Sequence, residues 1–364
     1  MTSATEAASS ALSEAPAIAR PRTLRKAGMD RVGAYFAILG LGWIMPILRL
    51  ATGASPREQI RQLWIVLGIP AAAIILFLAA WAAVAPTIQT SLGIIPGPVQ
   101  VWQEAENLYA DHLAQKVKAK AFYERQEQRN AETLARNPDA EVRWRNYTGA
   151  PTYLDQIVTS LTTVFAGFLI ATLVAVPMGV MCGLSRTVNA ALNPLIQIFK
   201  PVSPLAWLPI VTIVVSAVYV SEDPLFGRSF LNSAITVTLC SLWPTLINTA
   251  LGVSSIDGDL MNVSRVLQLT WWTKVRKLVL PSALPYIFTG LRLSLGVGWM
   301  VLIAAEMLAQ NPGLGKFVWD EFQNGSSSSL ARIMVAVFTI GLIGFLLDRT
   351  MLALQAVVTH TPSR

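Results

Sequence analysis

The sequence predicts an all-α integral membrane protein, and three observations carry that prediction. Apolar residues fill 53% of the 364 positions and charged residues only 13%, about half the charged share of an ordinary soluble domain. Mean hydropathy is +0.51, more apolar material than one or two soluble cores need. The charges also cluster. None lies between Arg61 and Glu104, Asp155 and Arg186, Lys200 and Glu222, or Arg228 and Asp257. A helix crosses hydrocarbon with about 20 apolar residues, and its backbone polar groups are then satisfied within the segment.

Residues 1–31 read as a disordered, Ala/Ser-rich tail. No apolar run follows the initiator closely, so this is not a signal peptide. Within 32–62, Val32 to Leu48 is charge-free with basic residues on both sides. That length suits a helix lying in the membrane interface better than a seventh span, with a linker after it. Residues 63–100 hold the first span, Trp64 to Val84, and a loop broken by Pro86 and by Gly93 through Pro98. Residues 101–150 carry 16 charges, eight of each sign. Glu and Lys/Arg recur there at helical spacing, which predicts a solvated helical hairpin capping the bundle. A docking surface for an external partner is the sharper reading.

The core, 151–358, holds the other spans. Span two is Tyr153 to Leu184, with Pro177 as a kink and Gly179/Gly183 as a close-packing pair. Before span three, Pro201, Pro204 and Pro209 fall inside nine residues. Three prolines free backbone carbonyls, so an irregular, pore-facing backbone is expected, with Ser203, Pro204 and Trp207 on a translocation path. A plainly kinked span is the alternative. Span four runs from Phe230 to about Leu251. Span five, Leu284 to Leu308, contains Arg292 and Glu306. Charges inside spans face a cavity or a partner, which makes both path candidates; snorkelling of Arg292 and interfacial hydration of Glu306 are the competing readings. Asn311 to Gly315 is a tight turn, Phe317 to Asn324 a short interfacial helix, and Ser326 to Ser329 a flexible link. Span six, Ile333 to Val358, tolerates Asp348-Arg349. Residues 359–364 form a second tail.

Six spans with both termini in the cytoplasm fit the positive-inside rule. Basic clusters fall at Arg20 to Arg31, Arg57/Arg61, Arg186/Lys200, Arg265 to Lys277 and Arg349. The loops between are balanced or mildly acidic. A loop over residues 252–281 then lies inside the cell. Its last 20 residues, Asn262 to Pro281, form a basic insert that carries Arg265, Lys274, Arg276 and Lys277 with no acid, and Trp271-Trp272 at its centre. An amphipathic excursion that leaves the membrane and returns is a handle for something outside the bilayer.

Other chemistry is missing from the sequence. There is no G-x-x-x-x-G-K-[ST], and Gly313-Leu-Gly-Lys316 lacks both spacing and hydroxyl. His112 and His360 are the only histidines and suggest neither catalysis nor a metal site. Cys182 and Cys240 sit in apolar spans and read as small core residues. No paired carboxylates suggest a proton relay. No nucleic-acid partner is expected, and transport would draw its energy from elsewhere.

The basic insert resembles the cytoplasmic loop of binding-protein-dependent ABC importer permeases. That loop reads Glu-Ala-Ala, three residues, Gly, nine residues, an apolar residue, one residue, Leu-Pro. Here the register gives Asn262, Val263, Ser264, then Gln268, then Leu278, Leu280 and Pro281. The spacing is kept; the Glu, the alanines and the Gly are not. PLIQIFKPVSPLAWLPI, GLRLSLGVGWMVLIAAEML and PGLGKFVWDEF look like permeases of nitrate/nitrite/cyanate and bicarbonate importers, within the wider nitrate, sulfonate and taurine group.

The resemblance implies a type I importer bundle of six spans in a bacterial inner membrane, importing a small inorganic anion, nitrate foremost. Bicarbonate, cyanate and alkanesulfonates such as taurine are the alternatives. It implies a second permease copy, ATPase subunits that hold ATP and magnesium, and a periplasmic or lipid-anchored solute-binding protein. This chain itself would be no enzyme and hold no cofactor. Asn262, Ser264, Arg265, Leu267, Gln268, Trp271, Trp272, Lys274, Leu280 and Pro281 would form the coupling loop. A stand-alone secondary transporter would need coupling carboxylates or repeated half-helices. A membrane scaffold would need no Leu280-Pro281 closure.

Overall fold

The computed structural model describes residues 46–47, 56–90, 93–137, 141–220 and 226–359. The expected tails, the interfacial helix at Val32 to Leu48, and Glu222 and Asp223 lie wholly or almost wholly outside these residues. The chain forms two compact units, Met1–Ala72 and Ala73–Arg364.

The described residues are almost entirely helical. The first helices are α1 (Pro56–Leu63) and α2 (Ile69–Val84), joined by a π-helical turn, Trp64–Gly68. A two-residue antiparallel pair, Gln89–Thr90 with Gly93–Ile94, closes the following loop. Then come α3 (Pro98–Arg136), α4 (Tyr153–Leu184), α5 (Arg186–Phe199) and α6 (Pro204–Val218). The rest is α7 (Arg228–Ser254), α8 (Gly258–Val266), α9 (Trp271–Lys274), a second π turn (Val275–Val279), α10 (Leu280–Ala309), α11 (Leu314–Asn324) and α12 (Ser329–Thr359). Each π turn ends two residues before a proline, Pro70 or Pro281. Proline offers no N–H to the carbonyl four residues back, and a wider turn rehouses that carbonyl.

Among the described residues, five helical stretches are long and apolar enough to cross a membrane: Arg57–Thr87, Tyr153–Leu184, Arg228–Ser254, Trp271–Ala309 and Ser329–Thr359. The pair α5 and α6, bent by 100°, makes a sixth if it counts as one span. This is the six-span bundle expected. The central sandwich is α4, α7 and α10. It closes tightly because a Cβ at Gly167 would sit 2.6 Å from the Ala234 carbonyl, and one at Gly179 2.6 Å from Thr249. The core there is Val164, Phe168, Val237, Leu295, Trp299 and Leu302. A capping box of Thr152 and Asp155 starts α4.

The insert departs from the expected hairpin. It is one 39-residue helix, α3, and an extended return segment. The helix stops just before Asn137-Pro138, where proline disfavours continuation. The return lies along α3: the Arg145 N–H donates to Gln126 Oε1 at 3.1 Å, the Tyr147 N–H to the Tyr123 hydroxyl at 3.1 Å, and the Tyr147 hydroxyl to Gln115 Oε1 at 3.0 Å. The start of α3 is clamped by Arg332 of α12. Its guanidinium reaches Glu104 at 2.7 Å, Glu321 of α11 at 3.2 Å and Asp111 at 3.9 Å. Ser326 to Ser329 is no loose link either. Ser329, fully buried, donates to Glu321 at 2.9 Å and accepts from the Ser326 N–H.

Candidate coupling loop and translocation path

The basic insert folds as a helix-turn-helix. Asp257 caps α8, its carboxylate accepting from the Asp259 N–H. The chain leaves α8 through a Schellman closure: the Leu269 N–H donates to the Ser264 carbonyl at 3.1 Å and the Gln268 N–H to the Arg265 carbonyl at 3.0 Å. This needs a left-handed residue, and Gln268 has φ 48°. It stands where the family loop carries Gly, so the turn survives the substitution at a backbone cost. Thr270 then caps α9, accepting from the Thr273 N–H.

This turn aims an apolar face outward. Val266 is 82% exposed, Leu267 63%, Trp271 59% and Trp272 66%, and the two indoles stack at 6.1 Å. Arg265 is exposed too, donating to Asn262 Oδ1 at 3.1 Å. Ser264 faces inward, buried, and donates to the Met261 carbonyl. Lys274 and Leu280 are half-buried and Pro281 exposed. Behind the face, Val275, Val279, Ala283 and Ile287 pack on Val180 and Val253 of α4 and α7. The outward face is thus backed by side chains packed on the central sandwich.

The path candidates separate into three places. Ser203, Pro204 and Trp207 lie at the 100° break between α5 and α6. Ser203 caps α6 and Pro204 takes its first position, where no N–H is required. Phe199 lies 5.8 Å from Trp207 and 6.3 Å from Trp243. The buried indole N–H groups of Trp207 and Trp243 find no acceptor among the described residues.

Arg292 binds Asp348 of α12 through both Nε and Nη2, the latter at 3.0 Å. The pair borders an open cavity of about 540 Å³ with Thr289, Gly296 and Met300. Its two side chains are 41% and 37% exposed. Arg292 is therefore a partnered charge.

Glu306 corrects the expectation of interfacial hydration, because it is 1% exposed. Ser160 of α4 donates to its carboxylate at 2.8 Å, and the Gly315 N–H at 2.9 Å. Ser160 accepts in turn from the Leu314 N–H at 2.9 Å. Gly313, at φ 149°, passes so close that any Cβ would collide with the carboxylate. Glu306 is a buried knot tying α10 to α4 and α11.

Sequence reasoning missed Glu306's burial, the Arg332 clamp and the Arg292–Asp348 pair. Only the last left a clear signal, two opposite charges in successive spans.

The family model "Binding-protein-dependent transport system inner membrane component" matches residues 175–359. The bicarbonate transport system permease protein CmpB of Synechococcus elongatus is 40% identical over 201 residues, which are 55% of this chain and 67% of that protein. The nitrate import permease protein NrtB of the same organism is 36% identical, covering 53% and 66%. The taurine transport system permease protein TauC of Escherichia coli is 32% identical, covering 57% and 70%. These matches span about two thirds of each relative. Among solved structures, the inward-facing MetNI methionine ABC transporter aligns with a TM-score of 0.48 at 16% identity, over 57% of this chain and 96% of that one. The chain belongs to the family of inner-membrane components of binding-protein-dependent transport systems.

Proposed function

We propose that this chain is the membrane-spanning subunit of an ATP-driven importer of a small inorganic anion, nitrate foremost. Separate ATPase subunits bind and hydrolyse ATP. A second permease copy completes the path, and an external solute-binding protein delivers the anion. The observation that carries this reading is the outward apolar face of the basic loop, Val266, Leu267, Trp271 and Trp272, backed by packed helices. Aromatic anchors with basic flanks are what a protein–protein hot spot uses, and rigid helices behind them transmit a push to the bundle. The loop and both termini then lie in the cytosol of a bacterial cell.

A second reading, bicarbonate, is favoured by the similarity of CmpB, at 40% identity. Both anions are small and singly charged at neutral pH, and the outer binding protein makes the first selection.

The test is co-purification with the ATPase subunits. Trp271→Glu or Arg265→Glu should leave the chain inserted while abolishing capture of the ATPase or its stimulation by loaded binding protein. Undiminished capture and stimulation in both variants contradict the assignment of the loop.

A further inference from the structure

We infer that the cavity between α5 and the loop-side ends of α4 and α7 is a binding site for a small oxyanion, with the Lys200 ammonium and the carboxamides of α5 as its donors. The inference rests on the proposed import of an anion, and names a site for it near the cytosolic exit.

The cavity has a volume of about 300 Å³ and is lined by Asn189, Asn193 and Gln197 of α5, by Lys200 at its C-cap, and by Leu246 and Ser254, among others. That volume is at the small end of ligand sites. These three and the helical C-cap Lys200 follow one another at spacings of four, four and three, so they share one face. Over 11 residues they form a ladder about 16 Å long at helical rise. The neighbouring face of α5 is apolar: Leu192 and Ile196 pack with Ala175 and Leu246. The polar face is thus held against the cavity by the packing of its neighbour.

The chemistry of the lining is one-sided. Among the described residues no carboxylate lines the cavity and Lys200 makes no ion pair. Gln197 Nε2 makes a long bond to Asn193 Oδ1, at 3.4 Å, which leaves the Asn193 NH₂ to donate elsewhere. An ammonium with carboxamide donors suits an oxyanion, and charge-assisted hydrogen bonds are the strong ones. A zwitterion such as an aminosulfonate would bring an ammonium with no acceptor of opposite charge. The break in the span lies directly beyond Lys200, beside the indole donors of Trp207 in α6 and Trp243 in α7, which have no acceptor among the described residues. The ladder therefore runs from the end of α4 up to the point where the backbone opens.

The test uses the whole complex in lipid nanodiscs. Cys182→Ala and Cys240→Ala clear the background, and Ser254→Cys places a thiol on the cavity wall opposite α5. A negatively charged methanethiosulfonate should label it. Nitrate or bicarbonate, but not an equal concentration of gluconate, should slow labelling. Lys200→Gln should weaken that protection about tenfold or more, the loss of one charge-assisted bond, while Lys200→Arg keeps it. Protection that is absent, or indifferent to Lys200→Gln, overturns the site. Transport of nitrate or bicarbonate by the unsubstituted complex, measured alongside, separates the two claims. Protection without transport leaves the site standing and removes the import reading; transport without protection removes the site alone.

Discussion

Gln268 is the sharpest place to perturb the loop. It holds φ 48° at the end of α8, and its side chain is exposed, so a substitution there removes no packing. A left-handed conformation costs a residue with a Cβ about 1–2 kcal/mol. Glycine removes that cost but loses about 0.5–1 kcal/mol of chain entropy on folding. Gln268→Gly should therefore stabilise by about 0.5–1 kcal/mol. In a domain of this size that raises the thermal midpoint by roughly 1–4 °C. Gln268→Val, β-branched and poorly tolerated at positive φ, should lower it. The assay is thermal unfolding of the solubilised chain, all three proteins side by side. A lower midpoint for Gly together with an unchanged midpoint for Val would refute the left-handed closure. Were that so, the direction in which Trp271 and Trp272 face would lose its basis.

Other substitutions test the remaining contacts. Glu306→Ala strands the Ser160 hydroxyl and the Gly315 N–H in a buried site and should cost about 2–5 kcal/mol, read as a large loss of folded protein; Gly313→Ala should do comparable damage by driving a Cβ into the same carboxylate. Arg332→Ala leaves Glu104 and Glu321 buried without their cation, a loss of about 3–5 kcal/mol, and α3 should become sensitive to limited proteolysis; unchanged cleavage argues against the clamp. Arg292→Met and Asp348→Asn should each lower folded yield, with the double variant no worse than the poorer single. Transport lost in Arg292→Met at full yield would instead return Arg292 to the path.

The spans were legible because hydropathy is a local property: charge-free runs near 20 residues have one inexpensive use. The break at Pro201 and Pro204 was legible for the same reason, since proline acts on its own turn. The spacing of the loop to Leu280-Pro281 could be set out from the sequence, but the left-handed turn at Gln268 could not, because the residue that marks such a turn, glycine, is missing there. What the sequence hid is contact across distance. Glu306 meets Ser160, 146 positions away, and Arg332 meets Glu104, 228 positions away; neither partner announces the other. The glycines at 313 and 315, placed just after a charge inside a span, were the available hint that Glu306 is enclosed. The hairpin expected over 101–150 failed because the charge pattern continues through 141–145 while the backbone over 141–150 is not helical.

The most direct measurement is ATPase activity of this chain co-purified with its ATPase subunits in liposomes, with binding protein and nitrate, bicarbonate or taurine added in turn. An anion importer predicts stimulation by nitrate, or on the second reading by bicarbonate, and its loss in Trp271→Glu. A stable complex stimulated by taurine alone would contradict the inorganic-anion reading. Failure of the ATPase to bind the chain at all would contradict the coupling loop itself.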